Sequence, residues 1–216
     1  PTRASIMTGK HNVRINITDW IPGLEESPNY NNKNKPLIGP KDLDELPLDE
    51  ITIAEVLKDN GYKTFYSGKW HLGSKGHYPE DQGFDVNVGG FEKGSPMGGY
   101  YSPYKNPNLS DGPKGEYLTD RLTQETIDFI DSSDDSKPFA AFLSFYNVHT
   151  PIQENKEFYD YYVKKLNGYD DKDPVTKKEG DAITRLNQRN AKYASMVHAT
   201  DNNFGKIIKY IKKNEV

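Results

Sequence analysis

Residues 138–151 read PFAAFLSFYNVHTP, and the architecture of the chain turns on them. From Phe139 to Tyr146 nearly every position is apolar, on both of the faces that a strand's two-residue period creates. A central parallel strand covered by helices on each side requires that pattern. Phe139 to Tyr146 is therefore expected in the middle of a sheet, with Asn147-Val148-His149-Thr150-Pro151 leaving its carboxyl end.

The segments on either side supply the helices and a second strand. Lys63 to Ser67, rich in aromatic and β-branched residues, reads as a short strand that ends at Gly68 and delivers Lys69-Trp70-His71 into a loop. Before it, Ile51 to Asn60 reads as a helix. Ile53, Val56 and Leu57 form its apolar stripe, Thr52 and Glu55 a capping box, and Gly61 its stop. A helix from about Thr119 to Ile130 carries Leu122, Thr126, Ile127 and Ile130 on one face, with Thr119 as candidate cap. A longer one, from about Ile183 to Lys213, shows an apolar face through Tyr193, Met196, Val197, Phe204, Ile207, Ile208 and Ile211. Leu72 to Gly115 reads as a long ordered connection without regular elements, and Asn155 to Gly180 as a charged excursion. Helix and strand in alternation mean α/β architecture, in which ligands gather beyond the carboxyl ends of strands.

Composition narrows the function. With 216 residues, 34% of them hydrophobic, the chain suffices for one core, and we read it as one domain. A net charge of -4 with both signs interspersed gives no global field for nucleic acid or an anionic membrane, so any anion site must be a local cluster. The absence of Cys excludes disulfides and thiol-bound zinc within this stretch. The longest apolar run, residues 138–145, falls far short of the ~20 residues that cross a bilayer. No signal peptide opens the chain, which starts at Pro1 without a Met and stops inside a lysine-rich helical pattern at Val216; it reads as a segment of a longer protein.

Three short segments carry the chemistry. They are Pro1-Thr2-Arg3 with Thr8-Gly9, then Gly61-Tyr62-Lys63-Thr64 through Gly68-Lys69-Trp70-His71-Leu72-Gly73, and His149-Thr150-Pro151. Together they resemble the type I sulfatases of the alkaline phosphatase superfamily. The signature of that family is Cys or Ser, any residue, Pro, Ser or Thr, Arg, with Thr-Gly downstream. This chain supplies the signature from its Pro onward, and the central segment matches over thirteen residues without a gap. The resemblance implies an alkaline phosphatase-like α/β sandwich, a mixed, mostly parallel sheet with helices on both faces. Residues 1–216 would be part of one sulfatase catalytic domain, truncated at both ends.

The residues themselves agree with that chemistry. A sulfate monoester presents tetrahedral anionic oxygens that need several fixed cationic donors, and Arg3, Lys69, His71 and His149 are the candidates. In the family the Cys or Ser becomes formylglycine, whose hydrated aldehyde attacks sulfur; that residue would stand two positions before Pro1. The resemblance implies that Arg3 holds the aldehyde, Lys69 binds a sulfate oxygen, His71 pairs with the aldehyde hydroxyl, and His149 protonates the leaving oxygen. It also implies calcium, on ligands outside this chain, a sulfated carbohydrate substrate, and a secreted or periplasmic protein. Asp201-Asn202 lies within the helical pattern and is not read as the family's metal pair; Asp201 is expected to be buried and hydrogen-bonded. His77 and Tyr100 are further candidates for substrate contact. An exposed loop would explain His77 as well, and core packing would explain Tyr100, Tyr101 and Tyr104. His11 and Asn12 read equally well as a solvated helix end. Two other readings remain: a phosphoesterase or phosphonate hydrolase of the same superfamily, and a non-catalytic module that binds sulfated glycans.

Overall fold

The computed structural model describes residues 1–22, 42–133, 136–168 and 174–214. Three parallel strands form its sheet: β1 (Lys63–Gly68), β2 (Val86–Val88) and β3 (Phe139–Ser144), in the order β2-β1-β3. Tyr66 pairs with Phe142 and Gly68 with Ser144, so β1 and β3 end level with each other. One face of the sheet packs on α1 (Thr2–Thr8) and α2 (Ile53–Asp59). Ala4, Met7 and Ala54 meet Tyr66, Phe142 and Phe84 there. The other face packs on α3 (Leu118–Asp131), where Phe129 and Ile130 meet Phe65, Phe139 and Ala141. Alternate residues of each strand thus go to alternate layers. Phe65 and Phe129 stack at 4.4 Å, a contact that contributes about 0.5–1.5 kcal/mol beyond the area it buries.

The cap of α2 is as the sequence indicates. Thr52 accepts from the Glu55 amide at 3.3 Å while the Glu55 carboxylate accepts from the Thr52 amide at 2.7 Å. At α3 the cap differs. The chain enters the helix through Tyr117 without a side-chain cap, and Thr119 is buried, its hydroxyl donating to Asn147 Oδ1 at 2.6 Å.

Other expectations are corrected. The strand at the centre is β1, buried from Thr64 to Gly68, whereas β3 is half-buried throughout and has no neighbour on its outer side among the described residues. Its apolar residues instead line a groove with Val197, Phe204 and Ile211. The long connection contains β2, a three-residue element too short for its period to show in sequence. The charged excursion contains α4 (Tyr159–Leu166) and the first strand of a hairpin, β4 (Thr176–Glu179) with β5 (Ala182–Arg185). Ile183 therefore lies in β5, and the last helix, α5, spans Ala191–Asn214, with Asn190 Oδ1 accepting from the Tyr193 amide. Asp201 on α5 is exposed rather than buried; Asn203 is the buried polar residue, donating to Asp120.

The exit from β1 passes closely over β3. Gly68 has φ +96°, and a Cβ there would lie 2.1 Å from the Ser144 carbonyl oxygen. Only glycine lets the chain approach this closely in that conformation. Gly68→Ala is expected to destabilise the fold by at least about 2 kcal/mol, from clash and a left-handed φ together. A urea denaturation midpoint within error of the wild type would show that the crossing tolerates a side chain.

Candidate active site

Level strand ends bring the sequence's chemical residues together. Arg3, on α1, donates from Nη2 to Ser144 Oγ at 3.2 Å. Lys69, directly after β1, donates its amide to the Ser144 carbonyl at 2.8 Å. Among the described residues neither cation pairs with a carboxylate. The Lys69 ammonium is partly buried, and burial, with the Arg3 charge beside it, lowers its pKa to about 8.

His71 lies in the left-handed region, φ 58°, a costly conformation for a non-glycine residue. Its amide donates to the Phe91 carbonyl at 3.0 Å, and Nε2 lies 2.7 Å from the Ile21 carbonyl. A carbonyl only accepts, so Nε2 carries the hydrogen and Nδ1 is left as an acceptor. Gly94 closes over the ring, where a Cβ would stand 2.4 Å from Nδ1. Burial pushes the His71 pKa down to about 4; the Ile21 carbonyl opposes this, and the charges of Lys69, Arg3 and His149 add to the lowering. At neutral pH His71 is therefore uncharged. It acts as an acceptor, a correction to its reading as a cationic donor.

His149 is exposed at the end of the segment that follows β3, and Nδ1 donates to the Thr150 carbonyl at 2.9 Å, which leaves Nε2 as the nitrogen open to a ligand. His71 and His149 line one cleft of about 430 Å³ together with Trp20, Glu45, Glu92 and Gly94. Arg3 and Lys69 are not among the residues that line this cleft, but the charge of each acts on His71.

Tyr100 and His77 do not line it. Tyr100 is fully buried, and its hydroxyl hydrogen is shared between the carbonyls of Tyr146 and His149, both at 2.9 Å. Its face is not available to a sugar; its effect is to pin the His149 backbone. Tyr104 is buried too, and Tyr101 is covered by the Lys156 ammonium 4.8 Å from its ring. His77 is held at Nδ1 by the Leu46 carbonyl and at Nε2 by Glu45, while its own carbonyl accepts from Trp70 Nε1. It braces the loop that carries Lys69 and His71. His11 Nδ1 accepts from the Val13 amide and caps the short turn that contains Asn12. Sequence reasoning passed over Ser144 and Tyr66, although Ser144 is the lone hydroxyl in an otherwise apolar strand.

A parallel α/β sheet with unneutralised cations near its strand ends is an arrangement suited to an oxoanion. The Sulfatase family model matches residues 1–216, and the chain belongs to that family. It is 29% identical to mouse arylsulfatase J over 180 residues, which cover 77% of this chain and 27% of the relative. Over 99% of its length it is 24% identical to the Escherichia coli sulfatase YdeN, covering 36% of that protein. The solved structure of Ps i-CgsB in complex with k-i-k-neocarrahexaose superposes with a TM-score of 0.68 at 24% identity, covering 100% of this chain and 44% of that one. BT4656 in complex with its substrate D-glucosamine-2-N,6-O-disulfate superposes with a TM-score of 0.61 at 19% identity, covering 99% and 52%. The fold is thus the alkaline phosphatase-like α/β fold of the sulfatases. The chain spans about a quarter to a half of the length of these proteins.

Holding Lys69 charged beside Arg3 costs the folded state free energy. The cost is fully present below pH 8, where the folded protein keeps the proton, and disappears as pH rises toward the ordinary lysine value near 10.4. Lys69→Met is expected to stabilise the fold at pH 7 by about 1 kcal/mol, solvent screening of a half-exposed ammonium removing most of what the shift alone implies, with the gain shrinking to nothing by about pH 10.5. Denaturation of both proteins across that pH range measures it, and a pH-independent difference would contradict the assigned cause.

Proposed function

We propose that the protein carrying this chain is a sulfuric ester hydrolase that removes sulfate from a sulfated carbohydrate. The observation that carries this reading is that His71 shares a cleft with His149 and feels the charges of Arg3 and Lys69, with no carboxylate paired to either Arg3 or Lys69 among the described residues. Family membership supports the reaction, and the ligands of the structural neighbours, a neocarrahexaose and a glucosamine disulfate, support the substrate class.

In this reading Lys69 binds a sulfate oxygen and stabilises the charge that the transferring group carries. Arg3 orients the nucleophile. His71, neutral and with Nδ1 as acceptor, takes a hydrogen bond from the nucleophile's hydroxyl, a role that a protonated ring would not fill. His149, with Nδ1 tied to the Thr150 carbonyl, donates a proton from Nε2 to the departing oxygen. A formylglycine two positions before Pro1 would supply a hydrated aldehyde as that nucleophile, and the acceptor on His71 fits such a partner. Among the described residues no three His, Asp or Glu come together to hold calcium, so no step is assigned to a metal. No helix among the described residues is long and apolar enough to cross a membrane, and we place the protein in a secreted or periplasmic setting on the family's pattern.

The two roles separate in kinetics. In the intact protein His149→Ala is expected to slow esters with poor leaving groups by ~10²- to 10⁴-fold and to affect activated aryl esters far less, because a weakly basic oxygen needs no proton to depart. Lys69→Ala removes a charge from the sulfate that every substrate shares, so its loss should be uniform across the series. Values of kcat/KM for both variants over esters of graded leaving-group pKa decide the matter. Parallel slopes would exclude His149 as the acid, and no turnover of any sulfate ester by the wild type would exclude the reaction.

A further inference from the structure

Ser144 makes contacts that no motif accounts for. Its carbonyl accepts from the Lys69 amide at 2.8 Å, and its Oγ accepts from Arg3 Nη2 at 3.2 Å. One residue therefore holds both cationic segments, which lie 66 positions apart in sequence. Beside it Tyr66, 1% exposed, donates its hydroxyl hydrogen to the Lys69 carbonyl at 2.5 Å. Arg3 N–H goes to Ser144 Oγ, the Lys69 N–H to the Ser144 carbonyl, and Tyr66 O–H to the Lys69 carbonyl, so both cationic segments are tied to one another through Ser144 and Tyr66.

We infer that Ser144 and Tyr66 are positioning residues that fix the spacing of Arg3 and Lys69 through this chain of hydrogen bonds. The inference rests on the reading of Arg3 and Lys69 as a sulfate site. What distinguishes these bonds is the chemistry of their acceptors. A carboxylate would hold the guanidinium as well, but it would neutralise the charge that a sulfate group needs. Hydroxyls and carbonyls fix the cations without quenching them, which is how donors are preorganised for an incoming anion. The chain of bonds is also well placed for this: Tyr66 is buried and the other three members are half-buried, and the four come from α1, β1 and β3 with the residue directly after β1, the rigid part of the fold.

Binding of inorganic sulfate to the intact protein tests the inference, followed by calorimetry from pH 6 to 10, for the wild type, Ser144→Ala, Ser144→Thr and Tyr66→Phe. In the wild type, affinity should fall above about pH 8, where Lys69 loses its proton. Ser144→Ala frees Arg3, so sulfate should bind roughly tenfold more weakly, as the loss of one hydrogen bond to a charged group allows. The pH at which affinity falls should also move upward, because a guanidinium no longer held beside Lys69 depresses it less. Tyr66→Phe keeps the packed ring and should change both readouts in the same direction. Ser144→Thr keeps the hydroxyl and should restore both. A side chain that only filled space would alter affinity without moving the pH dependence. The proposal is overturned if Ser144→Ala and Tyr66→Phe each leave affinity within twofold and the pH dependence in place, or if Ser144→Thr behaves as Ser144→Ala does. Absence of sulfate binding by the wild type would overturn the underlying site as well, and so is distinguishable from failure of the positioning role alone. Should Ser144→Ala not fold, as read by its circular dichroism, Tyr66→Phe alone carries the decision.

Discussion

Arg3 and Lys69 stand close together in a partly buried place, and no carboxylate among the described residues pairs with either of them. Two like charges in such surroundings repel each other and lose solvation, so the arrangement is unfavourable until an anion arrives. The strand ends supply the constraint that keeps it in place. β1 and β3 finish level, Gly68 lets the backbone pass over the Ser144 carbonyl, and Ser144 ties both cations to that crossing. Free energy from the packed layers, among them the Phe65–Phe129 stack and the aromatic cluster of Tyr66, Trp70 and Phe84, offsets the electrostatic cost.

The two histidines meet the same site with different electrostatics. His71 is half-buried, strained in its backbone and hemmed in by Gly94, Lys69 and Arg3, so it stays neutral and accepts. His149 is exposed, with one nitrogen tied to the adjacent carbonyl and its backbone pinned by Tyr100. One ring suits a hydroxyl donor and the other suits delivery of a proton.

Much of this was legible in sequence because the signals were local. The Thr52–Glu55 capping box, the strand ending at Gly68 and the Gly-Lys-Trp-His segment all depend on neighbours within a few residues. Failures came where a distant part of the chain decides the outcome. Phe139 to Tyr146 is apolar on both faces, yet strand order cannot be read from one strand's pattern, and β1 takes the centre. Ile183 continues an apolar spacing that suits a helix, but Gly180 and pairing with Thr176–Glu179 turn it into a hairpin strand. Tyr100 looked equally like a sugar platform and a core residue; burial against Tyr117 and two carbonyls chose the core. Ser144 gave no motif at all, since its importance arises only when residue 3 and residue 69 are brought to it by the fold.

The central claim is that Arg3, Lys69 and His149 serve one tetrahedral anion. A crystal structure of the intact protein with a slowly hydrolysed sulfate ester bound tests it most directly. The expected result is a sulfate group within hydrogen-bond distance of Lys69 Nζ, with the ester oxygen facing His149 Nε2 and Arg3 still on Ser144. A sulfate group seated elsewhere in the cleft, with Lys69 and His149 making no contact to it, would contradict the claim.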